Sequence, residues 1–564
     1  MDRETRRTVE EFRRTEAGPL ENNLIDELVN GELDREEFLK RGAMFGVSAG
    51  ILGSALGLVG EAGAALSRDQ RQLEAVQAGG TLRVGIATFG ASLEPYLLNE
   101  GGSLAFAGIP GEYLTYTNPK GQVVPWLATS WKPNGEATVW TFQIRKGVKF
   151  HNGKTLTAQD VVASMKHYVG TKGSNAGLSP FFDAAGVSAR GKYTVVFRLK
   201  SAIGAFPYLV SQTTYQAIIQ PASFARNPGS WVKGGMIGTG PFRLVRYVDK
   251  RSAELVRNTA YWGGRPPLDR VRVTFLGTAP MVLAMRAGQI DLAMQFSPQE
   301  AQPFKNNPKY RYYVLPTSAH RQICMRTDIA PFRDPRVRRA VALVLDRPAQ
   351  IQRILLGAGT PGNDSPFWRG FLSSDRSTKQ RKQNLQLARS LLQAANAEDL
   401  KFTVTTWQFL DHTDHAASLQ AYARQAGIDV DIEVMDVSKY YDSEPPGADY
   451  ATTTPWLNRP CTLTEYGARG VPNIFITRAY MSTGDWNASH YKNPAFDSNA
   501  RTFLAALEVG AQRRASKKMA GILLNDTPVI TDYFISYVTA STSRLKNYVP
   551  EGISHIRLAK VGLA

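Results

Sequence analysis

The clearest periodic pattern in the chain lies near its first quarter. Apolar and polar residues alternate through 140–145, which is the two-residue period of a half-buried strand. Asn152-Gly153 follows as a tight-turn signal, because both residues tolerate positive φ. A capping box, Thr-Ala-Gln-Asp at 157–160, then predicts the start of a helix. The pattern therefore predicts a strand, a turn and a capped helix, and it implies no catalytic group.

A second pattern predicts a βαβ unit in the later part of the chain. The apolar positions predict a strand at 402–407, a helix at 411–426 and a strand at 427–434. Such units close right-handed, and ligands bind at the carboxyl ends of their strands. We therefore expect Trp407 and Phe409 at the edge of a ligand cleft. A position in the core is the alternative for Trp407.

Length and composition describe a soluble globular protein of more than one domain. The 564 residues are too many for one ordinary domain, so two or three are expected. Hydrophobic residues make up 43% of the chain and charged residues 21%, which allows a sizeable core.

The net charge of +18 raises the question of an anionic partner. Lys and Arg are scattered along the chain, which favours a generally basic surface. The four arginines within 333–339 predict a solvated helix face that pairs with Asp334. We therefore expect no nucleic-acid partner.

The chain has two cysteines, Cys324 and Cys461. This number excludes a zinc cage built from cysteines and a disulfide-dense scaffold. The pair can form one disulfide if the chain is exported, but sequence alone does not give the pairing geometry. No cysteine follows the apolar N-terminal stretch, so the usual bacterial lipoprotein anchor is not expected.

The first 77 residues predict an N-terminal extension with an export signal. A basic segment precedes an uncharged run at 42–60, and small residues at 61–64 offer a cleavage site. The run is rich in glycine and is only mildly apolar, whereas a stable membrane span needs about 20 strongly apolar residues. We expect an exported protein, periplasmic or associated with the cell surface; an uncleaved N-terminal anchor is the alternative.

The basic segment resembles the twin-arginine export signal at four positions, Arg35, Phe38, Leu39 and Lys40. Glu36 replaces the second arginine of that signal, so the export route stays open.

The sequence contains no recognisable enzyme motif. The glycines at 235–240 are followed by Pro241 and by no amphipathic helix, so they predict a turn instead of a nucleotide-binding loop. His412 and His415 have an i, i+3 spacing that can chelate a metal. Their flanking aspartates, however, are equally favoured by capping at a helix start. We expect no catalytic residues, no cofactor and no metal.

The segment 142–162 resembles the most recognisable part of a known family. It reads Phe-x-x-Arg-x-Gly-Val-Lys-Phe-His-Asn-Gly-x-x-Leu-Thr-Ala-x-Asp-Val-Val. This run is similar to the extracellular solute-binding proteins, family 5, of ABC importers, which include oligopeptide-, dipeptide- and nickel-binding proteins. Further matches lie at 238–242, 258–264, 287–292 and 331–347. The resemblance covers about residues 80–564.

The resemblance implies an α/β fold of the periplasmic-binding-protein type, class C. Its two lobes are joined by a hinge of two crossovers, and the first lobe carries an extra subdomain. By this resemblance the first lobe is 78–320, with the subdomain at about 120–235. The second lobe is 321–525, and 526–564 return to the first lobe. Ligand binds between the lobes, and a membrane permease recognises the closed monomer.

The resemblance also implies ligand-binding residues. In peptide-binding members a Trp is followed three residues later by an Asp that pairs with the peptide's ammonium group. Counting from Trp456, Arg459 stands in place of that Asp, and Asn458 lies between them. Because a guanidinium favours carboxylate or phosphate, we expect an anionic ligand. The alternative is a shifted loop with Arg459 facing solvent.

These features predict the substrate-binding component of an ABC importer. It would capture a peptide-like or other small polar solute and deliver it to a permease. Members of the family bind peptides, opines, sugars or metal chelates, and the sequence does not choose among them. A periplasmic receptor that feeds a signalling partner is the alternative. An enzyme on the same fold is disfavoured because no nucleophile and base are clustered in the sequence.

Overall fold

The computed structural model describes residues 25, 28, 36–39 and 76–564, apart from 91–92, 99, 120, 171–176, 228 and 446–447. The strands are β1 (Thr81–Ala87), β2 (Thr115–Thr117), β3 (Val123–Pro125), β4 (Ala128–Pro133), β5 (Val139–Ile144), β6 (Val187–Arg190), β7 (Thr194–Arg198), β8 (Phe242–Val248), β9 (Ser252–Arg257), β10 (Arg270–Leu276), β11 (Leu292–Ala293), β12 (Tyr310–Met325), β13 (Gly359–Pro361), β14 (Lys401–Trp407), β15 (Asp429–Met435), β16 (Cys461–Tyr466), β17 (Val529–Thr542), β18 (Leu545–Lys546) and β19 (Gly562–Leu563).

The α-helices are α1 (Gly101–Ala107), α2 (Ala158–Gly170), α3 (Phe206–Leu209), α4 (Ala222–Ala225), α5 (Ser230–Lys233), α6 (Thr278–Arg286), α7 (Pro335–Leu343), α8 (Arg347–Leu355), α9 (Leu385–Ala394), α10 (His412–Arg424), α11 (Val437–Tyr441), α12 (Tyr450–Thr453), α13 (Pro455–Asn458), α14 (Asn473–Phe475), α15 (Pro494–Ala505) and α16 (Val509–Asp526). A π-helical turn at Ile476–Tyr480 follows α14.

One mixed sheet connects the two halves of the molecule. Its strand order is β15-β14-β16-β12-β17-β11-β1-β10-β9-β8, with β13 added along β17. The strands β14–β16 therefore lie on one side of the β12–β17 pair, and β1 with β8–β11 lie on the other. The largest apolar cluster extends over both sides, and a second cluster packs β14–β16 against the helices of their own side. This is the two-lobe α/β fold that the sequence predicts.

The β12–β17 pair forms the two crossovers between the lobes. Strand β12 is 16 residues long and β17 is 14 residues long, and they pair antiparallel over most of that length. The register shifts between Pro316 and His320. Such an irregularity bends and twists a ribbon locally, so it is the natural position of the hinge.

The segment that carries the strongest sequence pattern lies in the subdomain of the first lobe. The strand predicted at 140–145 is β5, the centre of the four-stranded sheet β4-β5-β7-β6. Trp140 and Phe142 on this strand are fully buried. The Asp160 carboxylate accepts hydrogen bonds from the Thr157 backbone and hydroxyl, both at 2.9 Å, and so caps α2. These residues build the core and do not face a cleft.

The predicted βαβ unit forms the outer part of the second lobe. Strands β14 and β15 pair in parallel, and α10 connects them. The apolar residues of these elements pack with α7 and α9 in one cluster.

One expectation for the second lobe is wrong. The arginines within 333–339 do not all lie on a solvated helix face. Arg336 pairs with Asp334 as expected, but Arg338 is 4% exposed and donates hydrogen bonds to the carbonyl oxygens of Phe332 and Asp526. The structure tolerates this buried guanidinium because backbone carbonyl oxygens accept its hydrogen bonds.

The predicted export signal lies mostly outside the described residues, which exclude Arg35 and Lys40. Phe38 and Leu39 belong to a helical stretch at 36–39, and Phe38 is buried in the large apolar cluster. The signal stays a prediction. In the part of the chain that the structure describes, no helix is long and apolar enough to cross a membrane.

Candidate functional site

A cavity of about 250 Å³ lies at the hinge, where four parts of the chain meet. The first lobe contributes residues near Tyr116 and Tyr208, and the hinge contributes 315–318. The second lobe contributes 368–373 and 468–471, and the C-terminal return contributes 550–553. A cavity between two lobes beside their hinge is a position where closure can bury a ligand.

Arg469 is the basic residue that lines this cavity from the second lobe. Its backbone N–H donates to the Ser318 hydroxyl at 2.8 Å, and that hydroxyl donates to the Arg469 carbonyl, also at 2.8 Å. The guanidinium lies over the Tyr215 ring, with its carbon 4.1 Å from the ring centroid. Thus the loop after β16 is tied to the hinge, and the side chain is oriented by an aromatic face.

The Arg469 guanidinium has no acidic partner within ion-pair distance among the described residues. Its Nε is buried and makes no hydrogen bond within that part of the chain. Burial lowers the pKa of this guanidinium from its ordinary value. Its Nη1 donates a hydrogen bond to the Ala468 carbonyl at 3.3 Å, but no carboxylate of the described residues balances its charge. An anionic group of a ligand would supply that counter-charge.

Two glycines bring the Arg469 loop close to the first lobe. A Cβ on Gly467 would lie 3.0 Å from the Tyr215 hydroxyl oxygen, and one on Gly470 would lie 2.8 Å from Thr213 Oγ1. The Tyr215 hydroxyl also donates a hydrogen bond to the Ala468 carbonyl. The two lobes therefore touch at this wall of the cavity.

Glu551 is the acidic residue of the same cavity, and it comes from the C-terminal return. Its side chain is 9% exposed, and its Oε1 lies 3.6 Å from Arg557 Nε. Burial raises the pKa of the Glu551 carboxyl to about 8. The cavity thus holds one guanidinium and one carboxyl group, contributed by different parts of the fold.

Aromatic side chains form the remaining wall. Trp368 and Phe371 line the cavity and meet edge to face, with ring centroids 5.5 Å apart. Apolar walls with a few convergent polar groups are typical of sites for small molecules.

A larger cavity, of about 380 Å³, lies on the other side of Trp368 within the second lobe. Several of its polar side chains are bonded within the protein: the Asp375 carboxylate accepts from Thr378, and the Gln380 amide donates to the Gly362 carbonyl. Size alone does not make it the better candidate, because it lies within one lobe and closure would not enclose it.

The five ligand-binding residues predicted from sequence do not line the hinge cavity. Trp407 stacks on Phe409, with ring centroids 4.7 Å apart and an angle of 14° between the planes. Tyr441 bridges Trp407 and Trp456 with centroid distances of 5.7 Å to each. The three predicted aromatic residues therefore form one cluster at the carboxyl ends of β14 and β15.

The predicted polar residues Asn458 and Arg459 lie beside that cluster. The Asn458 amide donates to the carbonyl oxygens of Thr454 and Ala451, so it is used within its own turn. Arg459 is 43% exposed and lies 3.7 Å from Glu433, its nearest acidic partner. Arg459 precedes β16 and lies outside the hinge cavity, and the ligand-binding role of the five residues stays a prediction.

Arg469 was missed, although the sequence carries a signal for it. Tyr466 is the aromatic residue that ends β16, and Arg469 follows three residues later. The spacing equals that of the Trp-x-x-Asp pattern, but the aromatic residue is Tyr. The search for a Trp therefore selected Trp456, which is buried in α13.

The disulfide that the two cysteines could form is absent from this structure. Cys324 and Cys461 are free thiols on the neighbouring strands β12 and β16. Cys324 lies opposite Thr462, and Cys461 lies opposite Met325. Because side chains alternate along a strand, the two thiols point to opposite faces of the sheet.

The histidine pair of α10 is buried. His415 Nε2 lies 2.8 Å from the Asp532 carboxylate, and the His412 ring packs edge-on against Trp407. Burial holds the pKa of His412 well below its usual value. Within the described residues, no group of three or more histidine, cysteine, aspartate or glutamate residues is arranged to hold a metal ion.

Two lobes, a two-crossover hinge and a charged cavity between the lobes define a two-lobe binding protein. The model of the bacterial extracellular solute-binding proteins, family 5, matches residues 122–460, which is more than half of the chain. The chain therefore belongs to this family, as its sequence motifs indicate. The family consists of binding proteins.

The relatives bind different ligands. The periplasmic murein peptide-binding protein MppA of Escherichia coli is 27% identical over 493 residues, which span 79% of this chain and 86% of that protein. The nickel-binding protein NikA of Staphylococcus aureus is 25% identical over 452 residues, covering 78% of this chain and 87% of that protein.

Solved structures of periplasmic binding proteins share the fold of this chain. The periplasmic binding protein DppA of Helicobacter pylori, solved with a bound peptide, has a TM-score of 0.72 at 22% identity. That match covers 86% of this chain and 98% of the solved chain. At this identity the similarity concerns the fold alone.

Proposed function

We propose that this protein is the exported substrate-binding component of an ABC importer and that it binds a small solute through an anionic group at Arg469. The observation that carries the proposal is a guanidinium that lines the cavity between the lobes and has no acidic partner among the described residues. The family assignment supports the role in uptake, and the names of the relatives allow a peptide-like ligand.

The position of Arg469 supports a reversed charge preference. In the peptide-binding members that the sequence resembles, a Trp is followed three residues later by an Asp that pairs with an ammonium group. Here Tyr466 is followed by Arg469 at the same spacing, and Arg469 lines the cavity. A guanidinium in that place favours a carboxylate or phosphate, which it can bind with two parallel hydrogen bonds.

A binding experiment tests the proposal. Native mass spectrometry of protein purified with its bound solute identifies the ligand, and calorimetry then measures its affinity. A hydrogen bond to a charged group contributes about 1.5–3 kcal/mol, so Arg469→Gln should weaken binding by about 10- to 150-fold.

Arg459→Gln is the matched control, because Arg459 lies outside the cavity and pairs with Glu433. The control should bind the ligand as the unmodified protein does. Equal losses in both variants, or an effect of Arg459→Gln alone, would reject Arg469 as the anion site. A bound solute without any anionic group would also reject it.

We further propose the lobe boundaries and the cellular context. The first boundary, at 320/321, falls between the two register shifts of β12, and the second, at 525/526, falls at the end of α16, just before β17. The monomer would act outside the cytoplasm with a membrane permease and without nucleic acid. Fusing residues 1–75 to a reporter that is active only after export tests the location, and a silent reporter would refute it.

A further inference from the structure

The cavity presents a second charged group that the anion site does not explain. The Glu551 side chain is only 9% exposed, so water does not readily reach it. Its Oε2 is buried and nevertheless has no hydrogen-bond partner among the described residues. Leaving a buried carboxyl oxygen unsatisfied costs about 1–3 kcal/mol. A buried acceptor without a hydrogen bond on a cavity wall is explained if a ligand donates the missing hydrogen bond.

The neighbouring arginine does not satisfy this oxygen. Arg557 Nε lies 3.6 Å from Oε1, the other carboxyl oxygen, which is beyond hydrogen-bond distance. Its guanidinium is stacked over Tyr116 at 4.0 Å and over Trp126 at 5.0 Å. Arg557 is therefore held by two aromatic faces and donates no hydrogen bond to Glu551 Oε2.

Both charged groups of the cavity are anchored to adjacent hinge residues. Ser318 exchanges two hydrogen bonds with the backbone of Arg469. The residue before it, Thr317, packs against the return segment so closely that a Cβ on Gly552 would lie 2.7 Å from its methyl group. The hinge therefore places a cation from the second lobe and an acid from the return segment in one cavity.

We propose that Glu551 accepts the ammonium group of the ligand, so that the substrate is a zwitterion whose acid binds Arg469 and whose amine binds Glu551. The inference rests on the proposed function and names its substrate class. An amino acid or a short peptide with free termini has this chemistry, and so does an opine-like condensation product. The ligand would lie with its acid, and not its amine, toward the second lobe.

Charge balance supports this assignment. A simple anion would neutralise Arg469 but would leave Glu551 Oε2 without a hydrogen-bond donor from the ligand or from the described residues. A simple cation would pair with Glu551 but would leave the Arg469 guanidinium without a negatively charged partner. A zwitterion satisfies both groups, and closure of the lobes would then bury two charge-assisted pairs.

The test uses two probes, L-alanyl-L-alanine and tri-L-alanine, which differ in the distance between their terminal charges. Each is offered with free termini, N-acetylated, C-amidated and blocked at both ends. Affinities are measured by calorimetry for the full-length protein, Glu551→Gln and Arg469→Gln. We expect N-acetylation to weaken binding to the unmodified protein by about 10- to 100-fold.

The variants separate the two sites. Glu551→Gln should abolish the preference for a free amine and keep the preference for a free acid, whereas Arg469→Gln should do the reverse. If the amine preference is absent from the unmodified protein, or persists in Glu551→Gln, the inference is overturned while the anion site stands. If no form of either peptide binds, the peptide-like substrate class is overturned as well.

A purely structural role for Glu551 gives a different result. If the carboxylate only pairs with Arg557, Glu551→Gln should lower thermal stability and leave the ratio of affinities for free and N-acetylated peptide unchanged. That outcome also overturns the proposal. Glu551→Asp offers a second variant that keeps the charge, and we expect it to retain part of the amine preference.

Discussion

Gly470 tests whether the contact between the lobes controls ligand affinity. A Cβ at this position would lie 2.8 Å from Thr213 Oγ1, 3.0 Å from Thr213 Cγ2 and 3.1 Å from Tyr208 Cδ1. All three atoms belong to the opposite lobe, so Gly470→Ala introduces a steric conflict only in an arrangement in which the two lobes touch, as they do in this structure. Neither lobe has to change its own core to accept the methyl group.

The expected magnitude follows from overpacking. An additional carbon in a well-packed contact costs about 1–3 kcal/mol. If this cost falls on the closed state alone, the dissociation constant rises by about 5- to 150-fold. Calorimetry with L-alanyl-L-alanine measures the change. The midpoint of thermal unfolding of the ligand-free protein should shift little, because each lobe keeps its core.

Removing the obstructing atoms should restore binding. Thr213→Ala deletes both Oγ1 and Cγ2, so the double variant Gly470→Ala/Thr213→Ala should bind more tightly than Gly470→Ala alone. Gly521→Ala is the control, since no atom lies within 4 Å of a Cβ at that position in α16. The reasoning is refuted if Gly470→Ala binds normally, or if Thr213→Ala adds a further independent loss.

Three further predictions concern pH, thiols and the core. Affinity for a free-amine peptide should rise between pH 6 and 7.5, measured by calorimetry, because binding an ammonium needs the Glu551 carboxylate and burial raises the pKa of that group to about 8. The charged and titratable groups that act on Glu551 are Arg557, which favours the carboxylate, and the Tyr113 phenol, which does not titrate in this range because burial holds its pKa well above the ordinary value. The native protein should not react with a thiol reagent, since burial raises the pKa of Cys324 to about 12, whereas the unfolded protein should show two thiols without reductant. Phe142→Ala should lower the free energy of unfolding in urea by about 3–5 kcal/mol, because this side chain is fully buried among other aromatic rings.

Each of these predictions has a contrary result. Affinity that is flat or falls over that pH range would contradict the role of the carboxylate, and Glu551→Gln should lose the pH dependence. Fewer than two reactive thiols after unfolding without reductant would indicate a disulfide. A change in the relative affinities for free and N-acetylated peptide in Phe142→Ala would contradict the view that the first-lobe motif has only a structural role.

Local patterns predicted much of the fold. The alternation at 140–145 became β5, the capping box became the start of α2, and the βαβ unit appeared as β14, α10 and β15. These features depend on neighbours within a few residues, so the sequence encodes them directly.

The residues of the candidate site could not be predicted from local sequence patterns. Arg459 and Arg469 both follow aromatic residues by three positions, and the sequence offered no reason to prefer the second. The choice depends on where β16 lies and on the bond between Ser318 and the loop that follows it. Likewise, the register of β12 and β16 sends Cys324 and Cys461 to opposite faces, which no spacing of cysteines reveals.

The sequence by itself determined the resemblance to the family, several local elements and the excess of basic residues. Only the tertiary structure decided which charges meet. Arg469 and Glu551 are far apart in sequence, and they line one cavity because the antiparallel β12–β17 ribbon brings the loop after β16 and the C-terminal return to adjacent hinge residues. Periodicity is a local property of a chain, whereas a binding site is made by long-range pairing.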